Sequence, residues 1–346
     1  MFRTVWRDLC KGKQSCQTVR NFCTDHGDNQ NGKKKVITVL RISISIILLA
    51  VILAFADINK IAASLKNFKQ EWFFPIFFLI LLSVIVSTFK WNTLIKAQNV
   101  SIRITTLFAY YNCGLFFNNF LPSSIGGDGI RIFLAGKKAD NYSAAASSVV
   151  MERTIATVTL AFLGLASAVF ATRPSRIAVN LLAVLFFAGV LLAFVLISGW
   201  VPRFIRKKDG KISRAWVRFA DSASELKKKK KALGICFLQS ILFQVIVALI
   251  VGAITIGLNQ PPLALPDLFL ITSASSVLAM VPLGLNGYGM REGAYIYLLR
   301  PFGYSTSAAL TVSILFAFFV TIYSLMGGMY WLLMNRKQRK AGYSYE

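Results

Sequence analysis

Charged side chains are scarce in this sequence, and acidic ones are scarcer still. Of its 346 residues only 15% are charged and 55% are hydrophobic, whereas about 25% of the residues in a typical soluble domain are charged. There are 14 acidic residues and a single histidine, His26. No Asp-x-Asp element is present and no histidine falls in an apolar segment, so the sequence offers no nucleotide-sugar site. We therefore exclude an ordinary soluble domain and predict that the protein is not an enzyme.

Cysteine is also sparse, and its spacing matches no metal site. Three of the five cysteines share the N-terminal segment with the histidine: Cys10, Cys16, Cys23 and His26. The intervals between them correspond to no familiar zinc motif. Cys113 and Cys236 fall in apolar segments, where a cysteine is an ordinary packing residue. We expect reduced thiols, no metal and no cofactor.

Long apolar runs, in contrast, recur along the whole chain. A run of about 20 apolar residues is long enough to cross a bilayer as a helix. Such runs occupy residues 37–56, 72–89, 154–172, 177–199, 232–258 and 305–334. The polar segment before the first run, with no small-residue cleavage site after that run, argues against a cleaved signal peptide. These runs predict a polytopic helical membrane protein.

The net charge of +25 is distributed unevenly, and the distribution indicates the topology. Nine basic residues precede or begin the first run, twelve lie in 203–231 and four follow Asn335, whereas 259–266 has none. Because lysine and arginine accumulate on the cytoplasmic side, we predict a cell-membrane protein with both termini and the 203–231 loop in the cytoplasm. The Lys227–Lys231 run then faces anionic headgroups, and we predict no binding of nucleic acid.

Two stretches do not fit the pattern in which each successive span crosses to the other side of the membrane. The stretch 104–138 lies between Lys90 and Arg103 on one flank and Lys137 on the other, all of which the charge rule places in the cytoplasm. The stretch 267–300 follows an uncharged outer loop and precedes a last run that must also begin outside. Both stretches must therefore enter and leave on one side. The sequence predicts an all-α fold with about six full spans and two re-entrant broken hairpins.

The two stretches share the pattern P-x4-G-x-G-x-R at a constant offset. The residues predicted to break the hairpins are Pro122, Gly129, Pro282, Gly284, Gly287 and Gly289. The first half, 37–172, begins inside and the second half, 177–334, begins outside, which predicts an inverted-topology repeat. We expect one transmembrane domain over 37–335, between a basic tail, 1–36, and a short tail, 336–346. The alternative is a pair of Pro/Gly-kinked helices that serve packing alone.

Ionisable residues within these apolar segments indicate a binding site. Each would cost about 2.5–3.5 kcal/mol at a lipid-exposed helix centre, so we expect them to face one another or water. Arginine holds phosphate through its planar fork, and glycines let backbone N–H groups approach the same oxygens. The predicted substrate-binding residues are Asn118, Asn119, Gly126, Gly127, Asp128, Arg131, Glu152, Arg153, Arg291 and Glu292. The predicted ligand is an anionic headgroup.

The side-chain chemistry predicts individual roles. We predict that Arg131 holds a lipid phosphate and that Asp128 orients Arg131 or the cationic or hydroxyl portion of the lipid. The alternative is a local Asp128–Arg131 pair at a helix start. Glu152 and Glu292 are each predicted to position an arginine of the other hairpin region or to take up a proton during transport. Purely structural pairing, such as Glu152 with Arg131 and Glu292 with Arg153 or Arg291, is the other interpretation.

Three segments together resemble a known family. NNFLPSSIGGDGIR at 118–131, SSVVMERTIA at 147–156 and VPLGLNGYGMREG at 281–293 resemble the lysylphosphatidylglycerol synthase transmembrane family of flippase-like membrane proteins. The residues that carry the resemblance are Gly126, Gly127, Asp128, Arg131, Glu152, Arg153, Pro282, Gly284, Gly287, Gly289 and Glu292. Asn286 and Tyr288 make the second hairpin bulkier than the glycine-rich version that is common in the family.

The resemblance implies lipid handling. In bifunctional members a membrane flippase region moves aminoacylated phosphatidylglycerol and a separate soluble domain makes it; we expect the flippase-like region here without that domain. The predicted function is movement of an anionic or lipid-linked headgroup, of phospholipid, aminoacyl-phospholipid or polyprenyl-phosphate type, between leaflets. The predicted partners are membrane lipids, and the oligomeric state stays open. The alternatives are an ion-coupled transporter of a soluble anion and a membrane-embedded transferase or accessory factor in glycolipid synthesis.

Overall fold

The part of the chain that the computed structural model describes is all-helical. It comprises Lys66 and residues 68–119, 125–198, 210–280 and 289–340, which contain no strand. The α-helices of these residues are α1 (Phe73–Ala97), α2 (Ile104–Asn118), α3 (Ile125–Ala139), α4 (Tyr142–Ala168), α5 (Arg176–Ser198), α6 (Lys211–Glu225), α7 (Lys230–Gly257), α8 (Leu265–Met280), α9 (Met290–Leu299) and α10 (Thr306–Lys340). Short 3-10 turns precede α1 and follow α6 and α9, at Gln70–Trp72, Leu226–Lys228 and Arg300–Phe302. The predicted all-α fold is confirmed for this part of the chain.

Five of the described helices are long and apolar enough to cross a membrane. They are α1 with the turn before it, α4, α5, α7, and α10 as far as Met334. They correspond to five of the six predicted apolar runs, 72–89, 154–172, 177–199, 232–258 and 305–334. The first predicted run, 37–56, lies outside the described residues, as does the basic tail 1–36 with its cysteines and histidine.

The predicted run 72–89 is too short, because α1 continues past Lys90 to Ala97. Lys90 is only 2% exposed. Its Nζ lies 3.9 Å from Glu152 Oε1 on α4 and 4.7 Å from the ring centre of Phe243 on α7. A carboxylate and an aromatic face compensate the buried ammonium. Lys90, which the charge rule assigned to a cytoplasmic loop, is instead a residue of the protein interior.

Each of the two interrupted stretches contains two helices that pack against one another, α2 with α3 and α8 with α9. Four predicted breakers lie outside the described residues: Pro122, Pro282, Gly284 and Gly287. Gly289 is the N-cap of α9 at φ 88°, a conformation that glycine adopts without steric cost. Gly129 lies inside α3, so the prediction that it breaks the first hairpin is wrong.

α3 approaches α2 closely at Gly127. A Cβ atom on Gly127 would collide with the carbonyl oxygen of Gly114 and with the side chain of Asn118. The Gly127 N–H donates to Asn118 Oδ1 at 2.8 Å, which satisfies one of the N–H groups that a helix start leaves unpaired. Gly127 therefore allows the short distance between the two helices.

Helices from the two halves of the chain interleave. α1 packs along α7, α2 along α10 and α8 along α4, and Trp91, Phe319 and Tyr323 are among the largest buried side chains. α5 lies at the periphery. Its buried residues are Ala178, Leu182 and Gly189, and it exposes large apolar side chains such as Phe187 and Phe194. An exposed apolar surface of this kind is expected for a helix in contact with lipid.

The basic loop 203–231 contains a helix that sequence analysis did not predict. α6 packs on α4 and α5, and it buries Ala220 and Ala223 while Trp216 is 47% exposed. The frequent charges in this loop concealed the amphipathic pattern, because hydropathy averaged over a window reports composition and not the face on which each residue lies. Residues 199–209 lie outside the described residues.

Candidate anion-binding site

Arg131 lies at the centre of a buried charged cluster between α1, α3 and α4. Its Nη2 donates to Glu152 Oε2 at 2.5 Å, and its Nη1 donates to Asp128 Oδ1 at 3.1 Å. The residue is only 2% exposed. Carboxylates therefore occupy both ends of the guanidinium fork, one from its own helix and one from α4. The two alternatives to phosphate binding given in the sequence analysis, a local pair with Asp128 and a pairing with Glu152, are both present.

Two aromatic rings enclose the Arg131 guanidinium. Its Cζ lies 4.4 Å from the ring centre of Trp91 on α1 and 4.2 Å from the ring centre of Tyr111 on α2. Trp91 is itself fixed, because its Nε1 donates to Ser148 Oγ on α4 at 3.1 Å. A guanidinium can stack on aromatic faces and still use its in-plane N–H groups for hydrogen bonds. Sequence analysis missed both rings, although the lysine beside Trp91 in an apolar run was a signal.

Arg153 is the exposed cation of the cluster. Its Nε and Nη2 donate to the two carboxylate oxygens of Asp128, at 2.8 and 3.0 Å. The Arg153 side chain is 48% exposed, whereas that of Asp128 is 13% exposed. Asp128 is shared by two arginines and thereby holds the exposed Arg153 beside the buried Arg131.

We call Lys90, Asp128, Arg131, Glu152 and Arg153 the first cluster, and its charges do not balance. Three basic side chains face two carboxylates, which is an excess of one formal positive charge among these five residues. Charges removed from water are stable only when they are paired, so the excess favours an additional anion on the exposed side. The Nε of Arg131 also has no acceptor among the described residues.

The second cluster lies at the start of α9 and consists of Arg291, Glu292, Ser313 and the Gly289 N–H. Arg291 donates to Glu292 Oε1 at 2.8 Å and to Ser313 Oγ on α10 at 3.1 Å. Ser313 donates to the same Glu292 oxygen at 3.1 Å, and the Gly289 N–H donates to the other oxygen at 2.6 Å. Among these four members one arginine faces one glutamate, so their formal charges balance.

The predicted pairing of each glutamate across the two hairpin regions is wrong. Glu152 pairs with Arg131 and Glu292 pairs with Arg291, in both cases within one half of the chain. Arg153, the other partner considered for Glu292, binds Asp128 instead. The physical reason is proximity, because α3 packs on α4, which carries Glu152, and Glu292 directly follows its arginine on α9. Proton uptake by either glutamate stays a prediction.

Asn118 and Asn119 make structural contacts at the end of α2. Asn118 accepts a hydrogen bond from the Gly127 N–H, and Asn119 Nδ2 donates to Ser324 Oγ on α10 at 2.5 Å. These bonds hold α2 against α3 and α10. Direct contacts of either asparagine, of Gly126 or of Gly127 with a substrate stay predictions.

Several spanning helices and a charged cluster within them define a multi-pass, membrane-embedded protein. The family model of the lysylphosphatidylglycerol synthase TM region matches residues 38–327. The chain belongs to this family, which confirms the resemblance found in the sequence. A UPF0104 membrane protein of Methanocaldococcus jannaschii is 34% identical over 128 residues, which cover 36% of this chain and 38% of that relative's length. No solved structure matches the chain.

Proposed function

We propose that this protein moves a lipid with an anionic headgroup between the two leaflets of the membrane. The headgroup is of phospholipid, aminoacyl-phospholipid or polyprenyl-phosphate type. The observation that carries the proposal is the excess positive charge of the first cluster, which is exposed at Arg153 within a spanning helix. The name of the family, which refers to lysylphosphatidylglycerol, supports a lipid substrate.

The depth of Arg153 makes an anionic ligand the natural partner. At 1.5 Å per residue, Arg153 lies about 17 Å along α4 from Tyr142 and about 22 Å from Ala168. A half-exposed arginine near the middle of a spanning helix is too costly to face lipid tails alone. Asp128 compensates this charge only in part, because the same carboxylate also binds Arg131. Water or a further negatively charged group must therefore reach Arg153, and a headgroup phosphate meets this requirement.

Within the first cluster we assign the phosphate contact primarily to Arg153. Arg131 is buried and both ends of its fork already bind carboxylates, so a headgroup reaches Arg153 first. The Nε of Arg131, which has no acceptor in the described part of the chain, is a further donor and retains a role for Arg131 in anion binding. Asp128 orients both arginines and repels phosphate, and it therefore sets where the headgroup oxygens lie.

The arrangement of helices supports an inverted repeat. Exchanging the halves, so that α1, α2, α3 and α4 correspond to α7, α8, α9 and α10, preserves the observed packing. The α2–α3 pair matches α8–α9, α3–α4 matches α9–α10, and the α2–α10 contact matches α8–α4, while α1 packs on its own counterpart α7. Together with the basic-residue pattern, this correspondence favours two re-entrant hairpins from opposite faces, an arrangement that permits alternating access.

The basic residues likewise support the proposed orientation. The described part of the 203–231 loop carries exposed lysines at 227–231 beside α6, as expected for a surface near anionic lipids. We infer a location in the cell membrane, with this loop and both termini in the cytoplasm, and transport without an enzymatic step or a cofactor.

Reconstitution into liposomes tests the function directly. A fluorescent phosphatidylglycerol analogue is incorporated in both leaflets, and a membrane-impermeant reductant then reports how fast inner-leaflet headgroups become accessible. We expect the parent protein to raise this rate above that of protein-free liposomes, and Arg153→Gln to reduce it by about tenfold or more, the loss of one charge-assisted contact.

Arg176→Gln is the matched control. Arg176 is exposed at the start of α5 and forms no ion pair within the described residues, so this variant removes the same charge outside the cluster and should retain the parent rate. Accessibility no faster than in protein-free liposomes would refute lipid movement. Uptake of radiolabelled phosphate, or formation of a new glycolipid product, would instead support a soluble-anion transporter or a transferase.

A further inference from the structure

A cavity of about 520 Å³ lies at the end of α4 remote from its start at Tyr142. It is formed by the α4–α5 connection, the start of α8 and the end of α9 with its 3-10 turn. Its polar lining consists of Arg173, Ser175, Asp267, Tyr297 and Arg300. The volume falls in the range of about 300–1,000 Å³ that is usual for small-molecule sites.

Two exposed arginines from different elements line this cavity. Arg173 lies in the α4–α5 connection and Arg300 begins the turn after α9. Neither forms an ion pair with any residue in the described ranges. No carboxylate of the residues that the structure describes binds either guanidinium group, so the cavity has donors available for an anion.

The one carboxylate in the lining is already engaged by other donors. Asp267 is 2% exposed, and its two oxygens accept from the Thr172 N–H and the Thr172 hydroxyl, both at 2.9 Å. These bonds anchor the α4–α5 connection to α8 and direct the carboxylate away from solvent. Ser175 donates to the Tyr297 hydroxyl at 3.3 Å, so the tyrosine O–H can donate to a ligand.

The surroundings of the cavity favour a lipid phosphate over a phosphate free in solution. Val169, Phe170 and Ile177, on either side of the α4–α5 connection, are 78%, 76% and 67% exposed. Large exposed apolar side chains beside a cationic cavity suit a ligand with an anionic head and acyl chains.

The cavity is separate from the first cluster. Along α4, Arg153 lies about 22 Å from Ala168, beyond which the connection begins, at 1.5 Å per residue. Arg291 and Arg300 stand at opposite ends of α9, so the second cluster is also distinct from the cavity. The 203–231 loop, which contains α6, lies toward the other end of the bundle, because α5 begins beside the cavity and ends before this loop.

We propose that this cavity is a second binding site, which holds the phosphate of an anionic lipid through Arg173 and Arg300, with the Tyr297 hydroxyl as a third donor. The site is located where a headgroup enters or leaves on the side opposite the 203–231 loop. The assignment of this cavity to a lipid during transport rests on the proposed function. The binding of a phosphate group rests only on the residues that line the cavity.

The experiment measures binding, so its failure is distinct from a failure of transport. Arg153→Gln is introduced into the full chain to weaken anion binding at the first cluster. This protein is purified in detergent and titrated in a calorimeter with dihexanoyl-phosphatidylglycerol or with inorganic phosphate. We expect the lipid to bind, and Arg173→Gln or Arg300→Gln in this background to raise its Kd by about tenfold. Arg176→Gln, with the same charge change at the same end of α5, should leave the Kd unchanged.

Three results would overturn the inference. These are no lipid binding in the Arg153→Gln protein, an unchanged Kd for both cavity variants, and an equal loss with Arg176→Gln. Inorganic phosphate binding as tightly as the lipid would overturn the lipid assignment and indicate a soluble anion. If a glutamine variant does not fold, Arg173→Lys and Arg300→Lys retain the charge and should still raise the Kd relative to Arg176→Lys, because they lose the fork. Lost transport with intact lipid binding here would count against the proposed function alone.

Discussion

The two halves of the chain place an arginine at the same position of the same motif, yet they surround it differently. Arg131 contacts a carboxylate of the following helix, and an additional cation, Arg153, lies one residue after that carboxylate. Arg291 contacts the following helix through Ser313. The constant offset between the repeated motifs that relates Arg131 to Arg291 also relates Arg153 to Ser313. At these two positions, which the motif offset relates, the first half has an exposed arginine and the second half has a small hydroxyl.

Because of this difference, the first cluster is suited to binding a ligand and the second cluster is not. The first cluster has an excess positive charge and an exposed side chain, so a ligand can complete it. The second cluster is neutral, and its carboxylate also receives the Gly289 N–H at the start of α9, so it mainly fixes a helix end. Of the two motif clusters, the first therefore has the features suited to anion binding, whereas the second has a mainly structural arrangement.

The largest expected difference between the halves concerns the two glutamates. Glu152→Gln leaves both Arg131 and Lys90 buried without a carboxylate from α4, and breaking such a buried pair costs about 3–5 kcal/mol. Glu292→Gln affects one arginine that is 17% exposed and retains Ser313, and we expect a loss of about 1–3 kcal/mol. Chemical denaturation in detergent micelles measures both values. Equal losses would contradict the difference that we draw between the clusters.

The arginines of the two motifs should also respond unequally to lysine. Arg131→Lys keeps the charge but cannot bind Asp128 and Glu152 with one fork while it stacks between Trp91 and Tyr111. We expect a loss of about 2 kcal/mol in the free energy of unfolding, because one charge-assisted hydrogen bond is lost. Arg291→Lys is the matched substitution and should cost less, since its site is neutral and partly exposed. A larger loss for Arg291→Lys would mean that the second cluster depends more on the fork of its arginine than the first cluster does, contrary to our expectation.

The third test makes the first half resemble the second at one position. Arg153→Ser introduces the residue that stands at the corresponding position, Ser313, and removes the excess charge of the first cluster. We expect the flipping rate of an anionic lipid in liposomes to fall by about tenfold or more, with a change in stability of at most about 1 kcal/mol because the ion pair is partly exposed. Retention of the parent rate would show that the exposed cation is dispensable.

Sequence patterns were sufficient for the features that depend on neighbours in the chain. Apolar length predicted five described spanning helices, and the motif at 122–131 and 282–291 located two interrupted stretches, each of which contains a pair of packed helices. The charged members of the site were also predicted, except Lys90. These features are local, because a helix and its interruption are determined largely by residues within a few turns.

Features that depend on distant partners escaped prediction. Lys90 appeared to end a span, because hydropathy counts a lysine as charged whether or not a glutamate on another helix faces it. Trp91 and Tyr111 could not be distinguished by composition from aromatic residues that face lipid, although they enclose Arg131. Gly129 shares its motif position with Gly289, but the motif does not reveal where each helix begins.

Alanine substitutions at Gly129 and Gly289 have the smallest expected effects. They test whether the backbone conformation differs between the two motif positions. Gly129 lies inside α3, and no neighbouring atom lies within 4 Å of the position that an alanine Cβ would occupy there, so Gly129→Ala should stabilise the protein by about 0.5–1 kcal/mol through helix propensity. Gly289 has φ 88° and ψ −50°, a positive-φ conformation outside the left-handed helical region that costs a residue with a Cβ atom about 1 kcal/mol or more, so Gly289→Ala should destabilise the protein. Gly293→Ala, at an open position within α9, is the control and should behave like Gly129→Ala. Opposite signs in chemical denaturation at the two motif positions would support the assigned helix starts, whereas equal destabilisation would mean that Gly129 has the breaking role predicted from the sequence.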